Sequence, residues 1–85
     1  MVPLTPTEYR LLRHLVTHPD QVFSRDSLLE IVWGYDSSVD SHRTVDVHVR
    51  HLREKLEEDP ASPRFLTTVR GTGYMFSLRP DVNGN

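Results

Sequence analysis

Two β-rich runs, residues 65–69 and 74–78, enclose Arg70-Gly71-Thr72-Gly73 at the end of a chain whose earlier segments carry helical periodicity. Two glycines within four residues predict a hairpin turn, so the fold must join helices to a C-terminal β-ribbon. The chain has 85 residues, enough for one small domain.

The helices have readable starts and stops. Thr5-Pro6-Thr7-Glu8 forms a capping box with proline at the first helical position. Tyr9, Leu11, Leu12, Leu15 and Val16 follow as an apolar stripe, and Pro19 ends the helix. Val22-Phe23 is an extended link or a small strand. Ser24 caps a second helix that buries Leu28, Leu29, Val32 and Trp33 and stops at Gly34. Residues 35–41 are polar and turn-rich, a loop. Asp40 or Ser41 caps a third helix that runs to about Glu58, before Asp59-Pro60 closes it. The expected domain covers residues 1–79, with a disordered tail over 80–85. Three helices followed by a hairpin is the element order of a winged helix-turn-helix, an α+β fold.

Composition narrows the function classes. There are no cysteines, which excludes disulfides and thiolate metal sites and fits a cytoplasmic protein. No apolar run is long enough to span a membrane, and no signal-peptide pattern opens the chain, so no membrane partner is expected. His14 and His18 have the spacing of a zinc-protease pair, but Leu15 stands where that motif needs its general-base glutamate. His48 and His51 could bind metal only adventitiously. Neither an enzyme nor a resident metal or cofactor is expected.

The net charge of −2 is unfavourable to nucleic acid, but its distribution reverses that impression. Residues 1–41 carry −3 and residues 56–63 another −3, whereas residues 42–55 carry +2 and residues 64–79 carry +3. On a helical wheel with Val45 at zero, Val49, Leu52 and Leu56 fall within about 40° of it, a buried seam. The opposite pole holds Arg43, Val47, Arg50 and Glu54, flanked by Thr44 and His51, with Arg53 at about 80°. Arginine can bind guanine or phosphate, threonine either, and valine can cover a thymine methyl. Glu54, Glu57 and Glu58 would repel phosphate and mark where the helix leaves the groove. Arg70, beside glycine and without a nearby acid, can extend into a minor groove. The rival reading is a winged helix that docks protein, whose binding would lack the steep salt dependence of DNA association.

The chain resembles the C-terminal effector domain of OmpR/PhoB-type response regulators, bacterial two-component transcription factors. The matching stretches are LTPTEY at 4–9, FSRDSLL at 23–29, VWGYD at 32–36, RTVDVHVRHLREKL at 43–56 and TVRGTGY at 68–74. This resemblance implies double-stranded DNA as partner, bound at direct repeats by a head-to-tail pair. The third helix would enter the major groove and the wing the adjacent minor groove. It carries contact roles onto Arg43, Thr44, Val47, His48, Arg50, His51 and Arg53 of the helix. At the wing it carries them onto Thr68, Arg70, Gly71 and Tyr74. Trp33 matches a position that touches the phosphate backbone. The loop residues Tyr35, Asp36, Ser37, Ser38, Val39 and Asp40 match the segment assigned to RNA polymerase. Three departures stand out: His51 replaces a common arginine, Met75 replaces a frequent basic residue, and the family's four-stranded N-terminal sheet is reduced to residues 1–4. A truncated effector domain is the expectation, with Tyr9, Leu11 or Leu12 exposed where that sheet would pack.

Overall fold

The computed structural model describes residues 3–34 and 42–78. Helix α1 spans Pro6–Thr17 and opens with the expected capping box. The Glu8 amide donates to Thr5 Oγ1 at 3.1 Å, and the Thr5 amide donates back to Glu8 Oε1 at 2.9 Å. Strand β1 is only Phe23–Ser24, the small strand among the two readings of that link. Helix α2 begins at Arg25–Leu28, capped by Ser24 Oγ accepting from the Ser27 amide at 3.1 Å. It continues as a wider π-type turn over Leu29–Trp33 and ends at Gly34, whose φ of 82° lies in the left-handed region.

Helix α3 spans His42–Leu56. The expected caps Asp40 and Ser41, loop residues 35–40 and the tail over 80–85 lie outside the described residues. The helix stops two residues short of the expected Glu58. Glu57 still closes a helical bond to the Arg53 carbonyl at 2.9 Å, but its side chain turns inward.

Strands β2, Leu66–Val69, and β3, Gly73–Phe76, form the hairpin, and β1 pairs with the free edge of β3. The three-stranded antiparallel order is β1-β3-β2, with Phe23 opposite Tyr74 and Ser24 opposite Gly73. A Cβ on Gly73 would sit 1.9 Å from the Phe23 carbonyl oxygen, so this close approach requires glycine. Thus the sheet joins the entry of α2 to the wing.

The core is one cluster. Leu11 and Leu15 of α1, Leu28 of α2, Val45, Val49 and Leu52 of α3, and Leu66 of β2 are essentially inaccessible. The seam read from the wheel is therefore the packed face of α3. Leu11 corrects one expectation: it faces this core, because α1 needs its Leu11–Leu15 edge against α3 and the sheet. Leu12 is partly buried, and only Tyr9, at 55% exposure, projects as expected. Pro3 and Leu4 form no strand, and Leu4 packs on the core edge.

Candidate nucleic-acid interface

Two sides of α3 are pinned, which leaves a third outward. On the wing side, Arg53 donates from Nε to the Leu66 carbonyl at 2.9 Å and from Nη2 to Thr68 Oγ1 at 2.7 Å. Its guanidinium also lies 5.5 Å from the centre of the Tyr74 ring. Tyr74 is 5% exposed, and its hydroxyl donates to Asp46 Oδ1 at 2.6 Å. The same oxygen accepts from Arg25 Nε at 2.8 Å. Burial, then the Asp46 carboxylate, pushes the Tyr74 hydroxyl up from its ordinary value, while Asp46 holds Arg25 more firmly protonated. One aspartate thus ties α2, α3 and β3 together.

Glu57 completes this side. Its carboxylate accepts from the Arg64 amide at 2.8 Å, the Phe65 amide at 3.1 Å and the Leu66 amide at 2.8 Å. It therefore caps the start of β2. Glu57, expected to repel phosphate with Glu54 and Glu58, is instead buried with its carboxylate turned onto backbone donors. Glu54 and Glu58 remain exposed.

On the opposite side, α3 meets α1 and α2. Lys55 Nζ lies 2.5 Å from Glu8 Oε1, so the capping glutamate of α1 also anchors α3. The Lys55 hydrogen bond, with help from the Thr5 amide, holds the Glu8 carboxyl below its ordinary value. His51 Nδ1 lies 3.8 Å from Glu8 Oε2, so this half-exposed ring borders α1 as well as the outer pole. His48 Nδ1 bonds the Thr44 carbonyl at 2.8 Å, and its ring meets Trp33 edge to face at 5.0 Å.

The outward face holds Arg43, Val47 and Arg50, all exposed. Arg50 makes only a loose i,i+4 pair with Glu54 at 3.5 Å. Beside this face the wing turn exposes Arg70, Gly71 and Thr72, with Gly71 at a φ of 78°. A cleft of about 230 Å³ separates the turn from α2 and the start of α3, lined by Arg25, Asp26, His42, Thr68 and Thr72 among others. Across its edge His42 Nε2 lies 2.6 Å from Asp26 Oδ1.

The sequence-selected residues therefore fall into separate groups. Arg43, Val47, Arg50, Arg70 and Gly71 share exposed positions, with His51 at the border. Trp33 and His48 form a pair on one flank. Arg53, the exposed Thr68 and the buried Tyr74 form a connected cluster on the other, and the Tyr74 hydroxyl is turned inward to Asp46. Thr44 is half-buried. Asp46, Glu57, Arg25 and the Glu8–Lys55 pair were not singled out as determinants of the site, although a lone acid between Arg43 and Arg50 was a signal. Among the described residues no three histidines or acids gather as a metal site, and no helix is long and apolar enough to cross a membrane.

Comparison with known proteins adds a family. Residues 1–76 match the profile described as "Transcriptional regulatory protein, C terminal". A probable transcriptional regulatory protein of Picosynechococcus is 57% identical over 75 residues, covering 88% of this chain and 30% of that protein. The phosphate regulon transcriptional regulatory protein PhoB of Escherichia coli is 53% identical over 74 residues, covering 87% of this chain and 31% of PhoB. Less than a third of either relative is thus represented. The Klebsiella pneumoniae RstA DNA-binding domain, solved in complex with the RstA box, superposes with a TM-score of 0.76 at 37% identity. That match covers 89% of this chain and 74% of the RstA chain.

Proposed function

Because the chain belongs to the family of C-terminal domains of transcriptional regulatory proteins, of the OmpR/PhoB type, we propose that it reads double-stranded DNA. In this reading α3 lies in the major groove and the wing turn in the adjacent minor groove. The observation that carries it is the exposure of Arg43, Val47 and Arg50 on one face of a helix whose other sides are pinned, beside an exposed Arg70. Bases are read best by side chains whose supports are rigid. Arg43 and Arg50 supply guanine or phosphate contacts, and Val47 an apolar contact to a thymine methyl. Arg70 reaches the minor groove, with Gly71 allowing close approach. Arg53 links the helix to the wing through Thr68 and the Tyr74 ring. The similarity to a domain solved on its DNA box supports the same reading.

The domain acts without catalysis, as the DNA-binding part of a cytoplasmic two-component regulator. Two copies occupy a direct repeat head to tail, and the loop over 35–40 meets RNA polymerase. The testing experiment is a salt titration of binding to a duplex selected from a random pool. Affinity should fall steeply and log-linearly with salt, and a flat response would favour the protein-docking reading. Moving one half-site by half a helical turn, about five base pairs, should abolish cooperativity. Unchanged affinity would show independent monomers.

A further inference from the structure

The hydrogen bond between His48 and Thr44 fixes more than a ring orientation. A carbonyl oxygen only accepts, so His48 Nδ1 must carry the proton in the 2.8 Å contact with Thr44. The edge contact with Trp33 holds the ring plane in place. In neutral His48 the remaining nitrogen, Nε2, is then a bare acceptor, and no described residue donates a hydrogen bond to it. On the wheel His48 falls about 60° from the buried seam, on the flank with Trp33 and away from the base-reading pole. A flank position of a groove-bound helix faces phosphate, and phosphate oxygens accept hydrogen bonds without donating them.

We propose that His48, a helix position onto which the family resemblance already carries a DNA-contact role, engages phosphate only as the imidazolium, so that binding takes up a proton at Nε2. The inference rests on the DNA reading above. With Nδ1 committed to Thr44, the ring cannot offer Nε2–H to a phosphate by switching tautomer without breaking that bond. A proton from solvent is the remaining way to make Nε2 a donor, and it adds a positive charge beside the phosphate. Affinity should accordingly rise as pH falls, and this share should vanish at pH values where bound His48 loses its proton.

The surrounding groups make the effect assignable. From α2 the facing side chain is the uncharged Trp33 indole, while Arg25 and Asp26 of that helix contact Asp46 and His42. On α3 the nearest titratable ring is His51, centred 6.3 Å away. From α1, Glu8 faces His51 and Lys55. His42 and His51 therefore contribute their own pH responses, and only a difference between variants isolates His48.

The test begins with the free protein. Imidazole nitrogen NMR should show His48 protonated at Nδ1 and bare at Nε2 when neutral; an Nε2–H tautomer would overturn the proposal. The second measurement is calorimetry of the duplex recovered by selection, run in buffers of different ionisation enthalpy. Wild type should take up more protons than His48→Gln, whose amide offers N–H near the Nε2 position at any pH. The variant should also show a shallower pH dependence of affinity, while His51→Gln retains the His48 share. Equal proton uptake and equal pH profiles in wild type and His48→Gln would overturn the inference while leaving DNA binding intact. Failure to recover any bound duplex would overturn both readings.

Discussion

The two flanks of α3 hold the helix by different chemistry. The wing flank is locked by short bonds to fixed acceptors and donors: Arg53 on a carbonyl and a hydroxyl, Asp46 on Tyr74 and Arg25, Glu57 on three backbone amides. The helix flank is held by Glu8 against Lys55 and His51, and by His48 against Thr44, so two imidazoles stand on a side whose counterpart carries none. The first arrangement makes the distance between helix and wing a property of the fold. The second leaves proton-sensitive groups beside the proposed backbone contacts.

The largest effect should come from breaking the wing flank at its base. Glu57→Ala leaves several inward-facing amides unpaired, which should cost about 3 kcal/mol and lower the melting temperature by roughly 10 °C or more. Thermal unfolding checks this. A loss of only a few tenths of a kcal/mol would mean that water replaces the carboxylate without penalty. At the tip of the same wing, Arg70→Ala should weaken binding to the selected duplex by roughly 1–3 kcal/mol while changing stability by about 0.5 kcal/mol or less. If stability fell with affinity, the distinction between a structural base and a contacting tip would fail.

How much of this division the sequence disclosed follows from where each signal resides. The α1 cap, the Val45–Val49–Leu52 seam and the hairpin are local or periodic patterns, and chain order alone exposes them. The outward set of Arg43, Val47 and Arg50 followed from the same period. Glu57 was misplaced because nothing local distinguishes it from Glu58; only the arrival of β2, seven to nine residues later, gives its carboxylate three donors. The role of Asp46 depends likewise on Tyr74, 28 residues away. Leu11 was expected among residues exposed where the family's N-terminal sheet would pack, and its buried place depends on α3 and the C-terminal sheet, which the α1 stripe alone does not reveal. The π-type turn over Leu29–Trp33 had no signal in composition.

Smaller substitutions sharpen the contrast between the flanks. Tyr74→Phe removes one hydroxyl and leaves Asp46 with Arg25, a loss on the order of 1 kcal/mol in denaturant unfolding. A null effect would show that Arg25 alone fixes Asp46. On the helix flank, Lys55→Gln should move acid unfolding to higher pH. The Glu8 carboxyl is held below its ordinary value of 4.5, so its contribution is present above that value and is lost as pH falls through the lowered folded one. Without Lys55 the folded carboxyl titrates closer to normal, so less of this contribution is present and unfolding is reached at a higher pH. An unchanged acid midpoint would remove Lys55 from that account.

The smallest effect concerns His14, whose Nε2 is buried without a partner among the described residues. Burial, then neighbouring His18, holds its imidazole below the ordinary value of 6.5. The unfolded chain therefore takes up the proton first, and stability should fall as pH drops below about 6.5. His14→Phe should flatten that part of the stability profile by a few tenths of a kcal/mol per pH unit. A profile of unchanged slope would show that His14 contributes nothing there.

The central claim is that the face of α3 between its two pinned flanks, together with the wing turn, is the DNA-binding surface. Backbone amide NMR of the isolated chain, titrated with the selected duplex, tests it most directly. The account predicts the largest shifts at Arg43, Val47, Arg50, Arg70 and Gly71, smaller ones at His48 and Trp33, and little change around Tyr9 and His14. Shifts centred on the exposed Tyr9 of α1, with α3 and the wing turn unmoved, would contradict it.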